Sequence, residues 1–174
     1  MEALLIIMEE LKRERAQLLA EKQANETMLA TIEEKIRQYQ ALIRKSKIFV
    51  SVYNRQITSY QNLLTFERVH SQNLLFTSKR LESVYESNID SLQSKIKQEK
   101  RAQKRYLICH DYWVSEENHL RQRNLEITED LQTLEAKINS YQAKENPKVY
   151  SLGGIKDGRI GNPETGHHGV HEKS

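Results

Sequence analysis

Glycine and proline are missing from almost the whole chain. All six glycines lie at Gly153 or beyond, and the two prolines are Pro147 and Pro163, so the first 146 residues contain neither. At usages of roughly 7% and 5%, a stretch of that length free of both has odds on the order of one in 10⁸. Glycine opposes a helix through backbone entropy, and proline through its missing N–H and a ring clash. Their absence excludes most sharp turns and any glycine-rich phosphate loop, and it predicts helix nearly throughout residues 1–146.

Other absences narrow the class further. Cys109 is the only cysteine, so no intrachain disulfide can form, and the chain reads as intracellular, cytoplasmic or nuclear. The longest apolar run, Ala3 to Met8, is six residues. It is too short to span a membrane, and no basic leader or small-residue cleavage pattern accompanies it. Secretion and membrane insertion are therefore not expected. Neither charge sign dominates: 27 basic residues face 24 acidic ones, for a net charge of +3. That balance does not demand an acidic partner.

What the chain does have is a helix-forming composition, 37% hydrophobic and 29% charged, close to the signature of long helices and coiled coils. A helix of about 145 residues would extend roughly 218 Å at 1.5 Å per residue. It would bury little against itself, so its apolar stripe needs a partner or the chain must fold back.

That stripe can be followed as a ladder with alternating steps of three and four. It runs Leu4, Met8, Leu11, Arg15, Leu18, Lys22, Asn25, Leu29, Ile32, Ile36, Tyr39, Ile43, Ser46, Val50, Tyr53, Ile57, Tyr60 and Leu64. All rungs but Arg15, Lys22, Asn25 and Ser46 are apolar or tyrosine. A repeat of 3.5 held this long predicts a left-handed coiled coil. Asn25 in such a seam is either a register-fixing residue or a weak spot.

Beyond Leu64 the register degrades through Glu67, Ser71, Leu74, Ser78 and Leu81, while Phe66, Val69, Leu75 and Phe76 sit off it. A second register then fits: Tyr85, Ile89, Leu92, Ile96, Glu99, Gln103, Tyr106, His110, Trp113, Glu117, Leu120, Asn124, Ile127, Leu131, Leu134, Ile138 and Tyr141. Successive steps of four at Leu81, Tyr85 and Ile89 are the mark of a stutter in one continuous helix. A helix–helix turn around Ser71-Gln72-Asn73 is the alternative, although only Asn73 is a usual turn residue there. The expected fold is thus all-α: a long extended helix forming a coiled coil over residues 1–146. Its stronger segments are 29–64 and 85–141, and residues 65–84 are irregular. A break or hairpin near residues 65–80 is the alternative to a continuous helix. Asn146-Pro147 stops the helix, and the glycine-rich stretch 147–174 is expected to be a disordered tail.

The interface is expected at Leu29, Ile32, Ile36, Tyr39, Ile43, Val50, Tyr53, Ile57, Tyr60, Leu64, Leu120, Ile127, Leu131, Leu134, Ile138 and Tyr141. Six seam positions are tyrosine: Tyr39, Tyr53, Tyr60, Tyr85, Tyr106 and Tyr141. A buried tyrosine hydroxyl needs a partner, so either the interface is wide or these rings lie at the seam edge with their hydroxyls in water.

Three further features bear on chemistry. Lys95, Lys97, Lys100, Arg101, Lys104 and Arg105 form a basic run with Glu99 the only acid among them. Lys97, Lys100, Arg101, Lys104 and Arg105 share an arc of a helical wheel and form a candidate anion-facing stripe; the alternative is a solvated face. No other basic cluster of that density stands in the chain. Tyr106, Leu107, Ile108, Tyr112 and Trp113 form a candidate docking patch, because apolar residues there point all round a helix. Cys109, His110 and Asp111 are consecutive, so their side chains point about 100° apart and cannot converge on one atom. His167, His168 and His171 in the tail could at most chelate a metal weakly.

No nucleophile–base–orienter set is visible. Neither catalysis, a cofactor nor a small-molecule substrate is expected. The expected function is a non-enzymatic scaffold. It would associate with itself or another coiled-coil protein, to tether or space partners in a cytoskeletal, centrosomal, ciliary or chromosomal assembly. The alternative is a helical surface binder laying residues 95–105 on an anionic membrane or nucleic acid. The sustained heptads resemble those of coiled-coil proteins of centrosomes, cilia, kinetochores and the meiotic chromosome axis or synaptonemal complex, and no motif selects one of these.

Overall fold

The computed structural model describes residues 1–70 and 77–146. They form two α-helices of 69 residues each, α1 (Glu2–His70) and α2 (Thr77–Glu145), with no strand among the described residues. Helix α1 begins with Glu2 and carries Arg68 in its last turn, charges that complement the helix dipole at both ends. Helix α2 stops at Glu145, before the Asn146-Pro147 pair that disfavours helical backbone. Threonines inside the helices, Thr27, Thr31, Thr58, Thr65 and Thr133, each donate their hydroxyl to the carbonyl four residues back. Their polar groups are thereby satisfied without leaving the helix.

A single helix through residues 65–80 is not what forms. The first helix ends at His70 and a second begins at Thr77. Leu81, the rung on which the stutter rested, is 40% exposed, and the seam of α2 starts at half-buried Tyr85. The change of register therefore marks a second helix, which needs no phase relation to the first. The physical reason is burial: one lone helix leaves its whole apolar stripe in water, whereas two helices of one chain cover each other. The suggested turn at Ser71-Gln72-Asn73, the side chains of Leu74, Leu75, Phe76 and Ser78, and the tail 147–174 with its histidines lie outside the described residues.

The chain divides into two units, one of Met1–Ala20 with Ile127–Ser174, the other of Glu21–Glu126. In the first, Met8, Ile127, Leu134 and Ile138 are buried, and Leu4, Leu11, Leu18, Leu131 and Tyr141 are half-buried. Arg15, a polar rung, reaches Glu135 at 3.0 Å.

In the second unit α1 and α2 are antiparallel. Arg68 binds Glu86, Tyr60 meets Tyr85, Ser46 binds Glu99, Tyr39 meets Tyr106, Asn25 binds Asn124 and Glu21 binds Arg123. Partner numbers rise on α2 as they fall on α1. The core here is Ile57 with Ile89, Leu92 and Ile96, flanked by Val50, Tyr53 and Tyr60. Burying each such side chain is worth about 1.5–3 kcal/mol, which is how two helices of indifferent amphipathicity hold together.

Polar rungs meet polar rungs. The Asn25 amide donates to the Asn124 carbonyl oxygen at 3.0 Å. Ser46, 2% exposed, donates to the Glu99 carboxylate at 2.6 Å. Asn25 thus has a polar partner across the seam. Among the described residues, no helix is long and apolar enough to cross a membrane.

Candidate functional site

Every described rung of the two ladders, Leu4 to Leu64 and Tyr85 to Tyr141, is buried or half-buried. Leu29, Ile32, Ile36, Ile57, Leu64, Ile127, Leu134 and Ile138 are buried, and Tyr39, Ile43, Val50, Tyr53, Tyr60, Leu120, Leu131 and Tyr141 are half-buried. Within each unit these side chains are covered by the other helix of the same chain. The tyrosines take edge positions, all six half-buried. Two pairs meet ring to ring, Tyr39 with Tyr106 at 6.5 Å and Tyr60 with Tyr85 at 5.9 Å.

The candidate docking patch splits. Tyr106 and Trp113 turn into the seam and are half-buried, with Trp113 edge-on to Tyr112. Leu107, Ile108 and Tyr112 face outward, Ile108 at 70% exposure. The neighbours Cys109, His110 and Asp111 do not gather at one point. The Cys109 thiol beside Tyr39 pushes that phenol's pKa up. His110 Nδ1 lies 3.1 Å from Asp111 Oδ1, so two consecutive side chains do meet, at an exposed carboxylate. Among the described residues, no group of three or more His, Cys, Asp or Glu could hold a metal ion.

The candidate anion-facing stripe, Lys97, Lys100, Arg101, Lys104 and Arg105, is exposed along α2. The fold adds a second half that the sequence reading missed. The stretch of α1 opposite it carries Lys35, Arg37, Arg44, Lys45, Lys47 and Arg55. The signal was an absence: from Lys35 to Phe66 there is no Asp or Glu. The cations there are spread too thinly to look like a cluster, and only antiparallel pairing sets them against residues 91–110. The Tyr39–Tyr106 and Lys95–Tyr53 contacts fix that alignment. Together with Lys95, twelve cations lie along residues 35–55 and 95–105, two stretches whose only acid is Glu99, with Glu34 and Asp90 just outside them.

Among the described residues only one of those twelve, Arg37, is in an ion pair, with Glu34 on its own helix. Lys45 and Lys95 instead lie over the rings of Phe49 and Tyr53, at 5.7 and 5.9 Å. Between the helices on one side runs a groove of about 340 Å³ lined by Ile43, Lys47, Lys100, Gln103, Lys104 and Leu107. Another, of about 540 Å³, has a mixed lining in which Gln56, Ser59, Asn88 and Ser91 stand with Val52, Tyr60 and Leu92.

Acids of the same unit are used differently. Glu21 accepts from Arg123 at 2.7 and 3.0 Å, and Arg121 bridges Glu33 and Glu117. The hydrogen bond from Arg123 holds the Glu21 carboxyl below its ordinary 4.5, outweighing the opposing effect of burial, and the opposite charge of Arg123 adds a smaller contribution in the same direction. Arg37 does the same to Glu34. A lowered carboxyl pKa stabilises the fold above its unfolded value and ceases to do so as pH falls through the folded one. The thermal midpoint is therefore expected to hold steady above about pH 5 and to fall below it. In Glu21→Gln the midpoint starts lower and the acid-side fall is shallower. Melting curves by circular dichroism at stepped pH check this, and an unchanged acid slope in Glu21→Gln would show that this contact does not contribute.

Comparison with known proteins yields no matching family model, curated protein or solved structure.

Proposed function

We propose that this chain is a non-enzymatic coiled-coil scaffold. Its paired helices associate with a second copy or with another helical protein, to tether or space partners in an intracellular assembly of the cytoskeletal, centrosomal, ciliary or chromosomal kind. The observation that carries this reading is the apolar surface left over after α1 and α2 have covered each other's seams. In the second unit Leu63, Phe66, Leu81 and Val84 are 43%, 55%, 40% and 48% exposed. Leu63 and Leu81 lie one turn beyond the Tyr60–Tyr85 contact on their respective helices. Charges nearby are balanced, Glu67, Glu82, Glu86 and Asp90 against Arg68, Lys79 and Arg80, so a second copy meets no net repulsion there. Exposed apolar clusters of this kind mark association surfaces.

Sedimentation velocity of the purified chain is expected to show species heavier than the 20.5 kDa monomer, with the equilibrium shifting upward with concentration. Phe66→Gln with Leu81→Gln is expected to return it to monomer with helicity unchanged. A chain that stayed monomeric at every concentration, and bound no helical peptide, would overturn the scaffold reading. The twelve-cation section favours a second reading, a surface binder for anionic membrane or nucleic acid.

A further inference from the structure

The groove over Ile43 and Leu107 is the feature the scaffold reading leaves unused. We propose that it seats an acidic amphipathic helix from a partner protein; this rests on the scaffold reading and names the chemistry of the helix it recruits.

Charge carries the first part of the argument. Lys47 on α1 and Lys100 and Lys104 on α2 line the groove, and none of them is in an ion pair among the described residues. They belong to two facing stretches, residues 35–55 and 95–105, that hold twelve cations and one acid of their own, and Ser46 donates to that acid. Like charges three or four residues apart on a helix repel, as Lys97 with Arg101, Lys100 with Lys104 and Arg101 with Arg105 do here. A carboxylate-bearing partner turns that repulsion into attraction.

Shape and polarity carry the second part. The lining is not purely cationic: Ile43 and Leu107 belong to it, and Leu107 is 51% exposed. A nucleic-acid backbone gains nothing from an apolar floor. A helix with an apolar stripe and glutamates on both flanks matches floor and sides together. Lysines from α1 and α2 straddle the floor, so each flank of such a helix finds a cation. The groove also borders the α1–α2 seam through Ile43, where a third helix would extend an existing apolar contact. A second copy of this chain is a poorer occupant. In the same unit Glu21, Glu33, Glu34, Glu117 and Glu126 are already held by Arg123, Arg121 or Arg37.

The test uses the full chain and a labelled synthetic peptide of about four heptads, with Leu at its a and d positions and Glu at e and g. Fluorescence anisotropy is expected to show saturable binding that weakens with added salt. The triple variant Lys47→Glu, Lys100→Glu, Lys104→Glu is expected to lower affinity about tenfold or more. The triple Lys→Gln variant serves as a milder check, and Leu107→Gln is expected to cost several-fold; circular dichroism confirms that each keeps its helices. Equal binding of a control peptide with Gln at e and g overturns the proposal. So does binding of duplex DNA, or of phosphatidylserine-containing vesicles, by a chain that ignores the Glu peptide. Failure here with self-association at Phe66 and Leu81 intact removes only this occupant, whereas loss of both removes the scaffold reading with it.

Discussion

Alanine at position 127 is expected to lower the unfolding free energy by about 2–5 kcal/mol, the range for truncating a buried aliphatic side chain to alanine. Ile127 has no exposed surface. It is a rung of the second ladder, followed on α2 by buried Leu134 and Ile138. Removing its outer carbons leaves a void that helices of this length close only in part, because each is held along many other rungs. Leu125, two residues away, is 54% exposed, and its replacement by alanine is expected to change stability by no more than about 0.5 kcal/mol. Urea titrations followed by far-ultraviolet circular dichroism measure both. A loss at Ile127 no larger than that at Leu125 would mean that this rung carries none of the packing energy.

The second large effect is expected at Ser46 and Glu99. Ser46→Ala removes the donor 2.6 Å from the Glu99 carboxylate and leaves a charged, half-buried acceptor without that partner. The expected cost is about 1–3 kcal/mol. Replacing both, Ser46→Ala with Glu99→Leu, removes donor and acceptor together. The double variant is expected to be near the wild type or more stable, since two apolar residues of suitable size need no partner. The double-mutant cycle therefore yields a coupling of the sign that marks a direct interaction. Strictly additive losses would show that the two side chains do not depend on each other.

These two sites also show what could be read in the amino acids and what could not. Ile127 was legible: it sits on a ladder of three-and-four spacing, and that spacing alone places it on the covered face. The same holds for Leu29 to Leu64 and for Ile89, Leu92 and Ile96. Ser46 and Glu99 were legible only as two separate faults in two separate ladders. They are 53 residues apart, and Asn25 and Asn124 are 99 apart. Nothing local says that one fault answers another. The reversal of the chain was obscured for a related reason. No glycine or proline punctuates the region between His70 and Thr77, and the only trace was a change of register that a stutter explains equally well.

The candidate site divides the same way. Lys97 to Arg105 stand out because they are close in sequence. Lys35 to Arg55 do not, because their neighbours are apolar seam residues and glutamines. Charge density is a property of space, and the antiparallel pairing turns two stretches of moderate basicity into one section with twelve cations. The groove with its lysines could not be foreseen either, since Ile43 reads as a seam residue and Leu107 as part of an aromatic patch. Their common opening exists only between two helices.

The antiparallel alignment of the second unit has a kinetic corollary. Its cross-helix contacts range from Arg68 with Glu86, 18 residues apart, to Glu21 with Arg123, 102 apart. Closing a short loop costs less entropy than closing a long one. Contacts near Arg68–Glu86 and the Ile57, Ile89, Leu92 and Ile96 cluster are therefore the least costly to make first, and each turn formed brings the next pair within reach. Pairing is therefore expected to advance away from that end, with the two polar matches, Ser46 with Glu99 and then Asn25 with Asn124, met in that order.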